Sequence, residues 1–336
     1  MVRMRHLFMT LGFGLIPALL TLPGCGASGE SALGTDSVAT RVDTARARND
    51  GPPLWILKDA DSTVYFYGTV HLLPDDLSWQ KDDMREAFQA SGTIFFEVDT
   101  SDAAQVDATL ATTNLGLRDD GTRLTDSLDN YQRNLLEAAT HNGNLKIATL
   151  DAMQPWLASE FLTFAAAQNA GLSADLSADS ALKSRAARQG KNVVYLETTE
   201  AQLRASADLS TDIQLNILTE TLEGFNQLGD DMTIVAEQWS VGGTDYLTQE
   251  LVIPMKSRAP ELYKSLLKDR NEKWAEEISD FMDGSGTAFV AVGVSHLLGE
   301  DSLLAQLHEQ GFKIKRHFAF QGENVINTVD TSIRVE

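Results

Sequence analysis

Two of the six histidines fall in one short pattern. Tyr67-Gly68-Thr69-Val70-His71-Leu72-Leu73 and Val292-Gly293-Val294-Ser295-His296-Leu297-Leu298 each run from a β-prone apolar stretch through glycine, two residues, histidine and a leucine pair, and the two histidines lie 225 positions apart. In an open α/β sheet, ligands gather beyond the carboxyl ends of the strands, and a glycine there lets the chain turn or a ligand come close. A histidine three residues past that glycine would stand on the loop rim. Glu300, Asp301 and Ser302 follow the second copy and suit a helix start, so His296 is expected just before a helix N-terminus. That setting disfavours imidazolium and leaves the ring neutral, the form that binds metal or accepts a proton. The bland alternative is two unrelated turn histidines.

Two carboxylates end apolar runs. Glu97 follows Ile94-Phe95-Phe96, and Glu197 follows Val193-Val194-Tyr195-Leu196. An unpaired buried carboxylate costs several kcal/mol, so each should reach solvent, a cation or a hydrogen-bond donor. Two histidines plus one or two carboxylates on one rim can hold a divalent cation with a position open for water, which the metal would acidify toward neutral pH. Water attack on an amide or ester becomes possible. The bland alternative for each glutamate is a solvated strand end or a salt bridge to a helix. Asp99, two residues beyond Glu97, is a weaker substitute on the same side of the strand.

These residues need a scaffold. Trp55-Ile56-Leu57 and Val64-Tyr65-Phe66-Tyr67, separated by Asp59-Ala60-Asp61-Ser62, read as a hairpin, and Thr93–Val98 reads as a strand buried on both faces. Further strands are expected at Lys146–Leu150, Asn192–Glu197, Thr287–Gly293 and Lys313–His317. Helical patterns lie at Gln80–Ala90, Trp156–Gln168, Ala178–Gln189, Gln214–Leu228, Ala259–Leu267, Glu272–Met282 and Ser302–Gln310. Alternating strands and helices argue an α/β domain with a mainly parallel central sheet, helices on both faces, and a helix-rich middle segment.

Composition narrows the function classes. The 336 residues are 43% hydrophobic and 22% charged, which fits a globular domain, and 27 Lys+Arg against 48 Asp+Glu give a net charge of -21. Such a chain repels polyanions, so nucleic acid is not an expected partner. No G-x-x-x-x-G-K loop, C-x-x-C pair or G-x-S-x-G elbow is present, which removes support for nucleotide hydrolysis and serine-esterase chemistry. Arg3 and Arg5 precede an apolar, acid-free run from Leu7 to Leu22, and Leu22-Pro23-Gly24-Cys25 closes it. This resembles a bacterial lipoprotein signal with its lipobox. Residues 1–24 would then be a signal peptide, with Cys25, the single cysteine, as the lipidated residue. Residues 25–53 would be a tether and 54–330 one α/β domain. Gly26 after the cysteine resembles the signal for export to the outer membrane, facing the periplasm.

The ordered set of motifs also resembles a family. Phe66-Tyr67-Gly68-Thr69-Val70-His71, Phe95-Phe96-Glu97-Val98-Asp99, Gly190-Lys191 with Tyr195-Leu196-Glu197-Thr198 and Gln202, Arg270-Asn271 with Trp274, and Ala291 through Gly299 are similar, in order, to the TraB/GumN family over about Leu54 to Phe318. That family includes the TIKI metalloproteases, and its wider clan is thought to take in erythromycin esterases and the haem-binding lipoprotein ChaN. The resemblance implies a sheet built from two related halves. It makes His71 and His296 the paired GxxH histidines, with Glu97 the glutamate between them. A metal-dependent peptidase is implied, with manganese or cobalt favoured and zinc a further candidate. Arg270 would clamp a substrate carboxylate or steady Glu97 through a bidentate contact. The segment Ser177-Ala178-Asp179-Ser180 departs from the family's glycine before the aspartate, which leaves a role for Asp179 open.

The expected protein is therefore a lipid-anchored envelope hydrolase of peptide or ester bonds. His71, His296, Glu97 and Glu197 are the candidate metal ligands, and Glu97, His71, His296 and Arg270 the candidate catalytic residues. The alternative is a non-catalytic lipoprotein that binds haem or another small ligand on the same rim.

Overall fold

The computed structural model describes residues 51–317. Cys25, the segment resembling a signal peptide, the tether up to residue 50 and residues 318–330 lie outside them.

Three opening elements place the first motif. β1 (Leu54–Lys58) and β2 (Ser62–Thr69) form the expected hairpin, α1 (Asp82–Ala90) packs on it, and β3 (Thr93–Phe96) follows. α2 (Gln105–Gly116), α3 (Asn130–Asn142), α4 (Ile147–Asp151), α5 (Pro155–Asn169) and α6 (Ala178–Gln189) lead to β4 (Asn192–Tyr195). The helix-rich middle is α7 (Thr199–Ala207), the 30-residue α8 (Thr211–Ser240), α9 (Thr244–Leu247), α10 (Ile253–Arg258), α11 (Pro260–Tyr263) and α12 (Asp269–Met282), with π turns at Thr248–Val252 and Lys264–Lys268. β5 (Gly286–Gly293), α13 (Leu303–Glu309) and β6 (Ile314–Arg316) close the domain.

The six strands form one sheet in the order β4-β3-β5-β2-β1-β6. β4, β3, β5 and β2 are parallel, while β1 runs antiparallel to both β2 and β6. Side chains alternate across it as the pleat requires. Tyr67, Ile94, Phe96, Phe289 and Ala291 pack under α1, α5, α6 and α8, whereas Val64, Phe66, Phe95, Val290 and Val292 meet Trp274, Ile278, Leu303 and Leu307 of α12 and α13. Helices therefore cover both faces. Burial on both faces explains why the central strands β2, β3 and β5 read as apolar runs, whereas β4 lies at the end of the sheet with Asn192 and Tyr195 exposed.

The sheet order also explains the repeated pattern. β2 and β5 are neighbours in parallel register, with Gly68 opposite Val292 and Thr69 opposite Gly293, so both motifs leave the same sheet edge side by side. A Cβ on Gly68 would stand 2.8 Å from Val294 Cγ2, closer than real contacts allow, so only glycine lets the second motif lie against the first. The buried Trp239 of α8 locks this edge by donating its Nε1–H to the Gly68 carbonyl at 2.7 Å.

Some expectations are corrected. Lys146–Leu150 is not a strand: Ile147 and Leu150 stand three residues apart and both turn toward the core, the spacing of one helical turn, and the segment forms α4. A five-residue apolar run carries too little periodicity to separate the two. α8 runs twelve residues past the expected end at Leu228, because Met232, Val235, Ala236 and Trp239 continue its buried face. His296 does not precede a helix directly. It lies in a 3₁₀ turn, Val294–Leu297, and α13 begins only at Leu303 behind its Ser302 cap.

Candidate functional site

Glu97 is the hub. It follows the last residue of β3, is 6% exposed, and must be satisfied internally. Its Oε1 accepts the Gly293 N–H at 2.7 Å, and its Oε2 accepts from Gln202 Nε2 and from Arg270 Nη2, both at 2.9 Å. Burial pushes this carboxyl up, but the Arg270 charge and the Gly293 N–H outweigh it and hold Glu97 below the usual range.

Arg270, 5% exposed, reaches the hub from the first turn of α12 and spends every nitrogen of its guanidinium. Nε bonds both Glu197 oxygens at 3.1 Å, Nη2 bonds Glu197 Oε1 at 2.5 Å as well as Glu97, and Nη1 meets the Leu266 carbonyl at 2.8 Å and His296 Nε2 at 3.1 Å. Leu266 belongs to the π turn before α12, a feature that often marks functional positions. Glu197, two residues past β4, is raised by burial and by the charge of Glu97 despite its bond to Arg270. The guanidinium fork suits this work, since it presents planar paired donors and stays charged.

His296 is held on both sides. Guanidinium can only donate, so Nε2 accepts from Arg270, and Nδ1–H donates to Asn271 Oδ1 at 2.7 Å. Asn271 is fixed in turn by donating to the Asp301 carbonyl at 2.8 Å. The ring lies against Trp274, 4.4 Å between centroids. Burial, reinforced by the neighbouring Arg270 charge, pushes His296 down to about 3. The ring is neutral as expected, but burial and a guanidinium keep it so rather than a helix terminus. This has a consequence for stability. Between pH 6.5 and about 3 the unfolded chain takes up a proton that the folded chain refuses, so His296 withdraws stability as pH falls. The unfolding free energy from urea titrations should drop further between pH 7 and pH 5 for the wild type than for His296→Gln, by about 1 kcal/mol or more.

His71 leaves the same edge on the first motif. Its Nδ1–H donates to Asp179 Oδ2 at 2.9 Å, and Asp179 Oδ1 accepts from Thr69 Oγ1 at 2.8 Å. Burial lowers His71, but the charge and hydrogen bond of Asp179 outweigh it and the net shift is upward. His71 Nε2, Glu97 Oε1 and His296 Cδ2 lie 3.4, 3.3 and 3.6 Å from the point where a Cβ on Gly293 would stand. The missing side chain is thus the space the three groups share. Gly293→Ala should cut any activity of this site by about 100-fold, the scale of a misplaced reacting group, while melting temperature falls only modestly; unchanged activity would remove the shared-space assignment.

Beyond His71 and Glu97 opens a polar cleft of about 630 Å³, lined also by Thr100, Asp102, Asp175, Asp179, Lys183, Tyr195 and Gln202. Lys183 of α6 donates to Thr100 Oγ1 at 3.0 Å and lies 5.6 Å from the Phe96 ring centroid. Burial lowers it, against the opposing charges of Asp179, Glu97 and Asp99.

The structure thus brings His71, Glu97, His296, Arg270 and Glu197 together. Asp99 stands apart, accepting from the Ser101 N–H outside the Glu97 network. As a metal centre the set does not fit as built. Three of the four candidate ligands, His296, Glu97 and Glu197, surround the Arg270 guanidinium, and among the described residues no three His, Cys, Asp or Glu side chains converge as a ligand group. The cation that the buried carboxylates require is an arginine. Sequence reasoning left Asp179 open and passed over Lys183 and Glu160. Glu160 of α5 is pushed up to about 7 by burial, opposed only by the charge of His71; its signal was an acid inside the apolar Trp156–Gln168 pattern.

The sequence pattern of the TraB/PrgY/gumN family matches residues 53–316, a stretch that contains every residue of this site. No curated protein and no solved structure matches the chain. With most of its length covered by that match, and the two glycine-histidine motifs side by side at one sheet edge, the chain belongs to the TraB/PrgY/gumN family.

Proposed function

We propose that this site hydrolyses peptide or ester bonds, with His71 as the general base. The observation that carries the reading is His71 Nε2 and Glu97 Oε1 sharing one space at the inner end of the cleft, with Asp179 on the opposite ring nitrogen. A water there would give its proton to His71 as its oxygen bonds the substrate carbonyl carbon. Asp179 orients the ring and stabilises the imidazolium, which returns the proton to the leaving amine or alcohol as the old bond breaks. Lys183, the cation among the cleft's lining residues, is the group available to the developing oxyanion. Glu97 fixes the Gly293 turn and adds negative charge beside His71, while Arg270 keeps Glu97 ionised.

A panel of quenched fluorescent peptides and aryl esters tests this. Turnover should fall by about 100-fold or more in His71→Ala and should survive dialysis against a chelator. Absence of turnover above the His71→Ala background in both substrate classes would overturn the reading. Loss on chelation, restored by manganese, cobalt or zinc, would favour the metal-dependent mechanism that the family resemblance implies, with Arg270 displaced from His296 and Glu97. Ligand capture without turnover, such as haem binding that depends on His71 or His296, would favour the binding-lipoprotein alternative. The envelope location belongs to the same reading: acylated Cys25 would hold the domain at the outer membrane, and Cys25→Ser should move the protein from the membrane fraction to the soluble one.

A further inference from the structure

The charges around the cleft do not balance. Glu97 is answered by Arg270, Asp179 by the hydrogen bonds of His71 and Thr69 and the charge of Lys183, and Asp99 lies in the field of Lys183. Asp102 and Asp175 remain. Both are exposed lining residues, and among the described residues neither accepts from a basic side chain. Independently, Gln202 lines the cleft at 5% exposure; its Nε2 is given to Glu97, and its Oε1 has no hydrogen-bond partner among the described residues. A buried acceptor left open costs free energy until an N–H or O–H donor arrives. The same cleft carries apolar surface at its mouth: Tyr195 is 39% exposed, and Leu176, between the lining residues Asp175 and Ser177, is 41% exposed. Acids, an open acceptor and exposed apolar faces together match a long cationic side chain, which lays its methylenes on apolar surface and its charge near carboxylate or over an aromatic ring.

We infer that the cleft selects a polypeptide segment carrying lysine or arginine, with Asp102 and Asp175 as specificity-determining residues and Gln202 Oε1 taking an N–H of the bound segment. This rests on the hydrolytic reading only for what happens after binding. Steering by the net charge of -21 would draw any cation to the surface, so the test must separate that from recognition.

The experiment uses the full chain and three fluorescein-labelled hexapeptides, capped at both ends, with lysine, glutamine or glutamate at one central position. Affinity is read by fluorescence anisotropy at 0.15 M salt, also in His71→Ala so that cleavage does not deplete the peptide. The lysine peptide should bind at least about tenfold more tightly than the glutamine one, and Asp102→Asn/Asp175→Asn should remove most of that preference. Glu276→Gln/Glu277→Gln, exposed on α12, changes net charge equally and should leave the preference intact. Equal affinity for the three peptides, or equal losses in the two double variants, would overturn the inference. Selective binding without cleavage of any peptide would sustain it and sink the hydrolytic reading, while cleavage indifferent to the basic residue would do the reverse.

Discussion

Arg270→Ala is expected to destabilise the fold by about 3–5 kcal/mol, the cost of removing one partner from a buried ionic cluster. The substitution removes the guanidinium donors of Glu97, Glu197, His296 and the Leu266 carbonyl at once and leaves two buried carboxylates without their cation. That is a large share of the 5–15 kcal/mol by which domains are usually stable. The loss should depend on pH in a set direction. With Arg270 gone, the largest influence opposing burial is lost and only hydrogen bonds such as those from the Gly293 N–H and Gln202 remain, so both carboxyls rise, protonation relieves the defect and the penalty shrinks from pH 8 to pH 5. Arg270→Lys should recover little, because one ammonium cannot serve both glutamates and the histidine. Urea unfolding of the three proteins at the two pH values measures this. A penalty under about 0.5 kcal/mol, the range of ordinary surface changes, or one that does not vary with pH, would contradict the assignment of Arg270 as the cluster's cation.

The second large effect falls on turnover. His71→Ala should lower kcat by about 10²–10⁴ with the fold retained, since the ring lines the cleft and is not fully buried. Asp179→Asn should act differently. A base works only when unprotonated, so the rate of the wild type rises with pH through the raised His71 pKa. Without the Asp179 charge, burial dominates and the acid limb of the pH–rate curve moves to lower pH, while the plateau drops because the ring tautomer is no longer fixed. Stability carries the same signature. The Asp179 to His71 pair contributes fully between pH 3.8, the unfolded value of the acid, and pH 6.5, that of the imidazole, and its contribution is lost as pH rises through the folded value of His71. A plateau loss without movement of the limb would make Asp179 a packing residue.

Much of this arrangement was legible beforehand for a physical reason. Parallel strands buried on both faces write themselves as apolar runs, so β2, β3 and β5 stood out; β4, partly exposed at the end of the sheet, was marked by its Val193-Val194-Tyr195 run, the acids Glu97 and Glu197 follow β3 and β4, and the repeated glycine-histidine spacing marked two strand ends. That those ends are neighbours was not legible, because sheet order depends on crossovers spanning more than 200 residues. Helices α2 and α3 escaped because their exposed faces are mixed: Val106 and Leu110 point to solvent on α2, and only Leu136, Ala139 and Thr140 are buried on α3. The identity of the cation escaped for a related reason. Two histidines and two glutamates suggest a metal by type, and only their placement shows the guanidinium of Arg270 among them. Of the two roles expected for Arg270, the contact with Glu97 is present, but it is a single Nη2 bond, and the paired contact of the guanidinium falls on Glu197 instead.

The two motif histidines should have opposite acid–base behaviour, and a ¹³C–¹H titration of the imidazoles reads it without a substrate. Assigned through His71→Asn and His296→Asn, His71 should titrate above its ordinary 6.5, and His296 should stay neutral from pH 8 to pH 4 with its proton on Nδ1. Both should be unmoved by added manganese, cobalt or zinc. A His296 that titrates near 6.5, or two rings whose Cε1 resonances shift together on adding a metal, would contradict an arginine at the centre of this site.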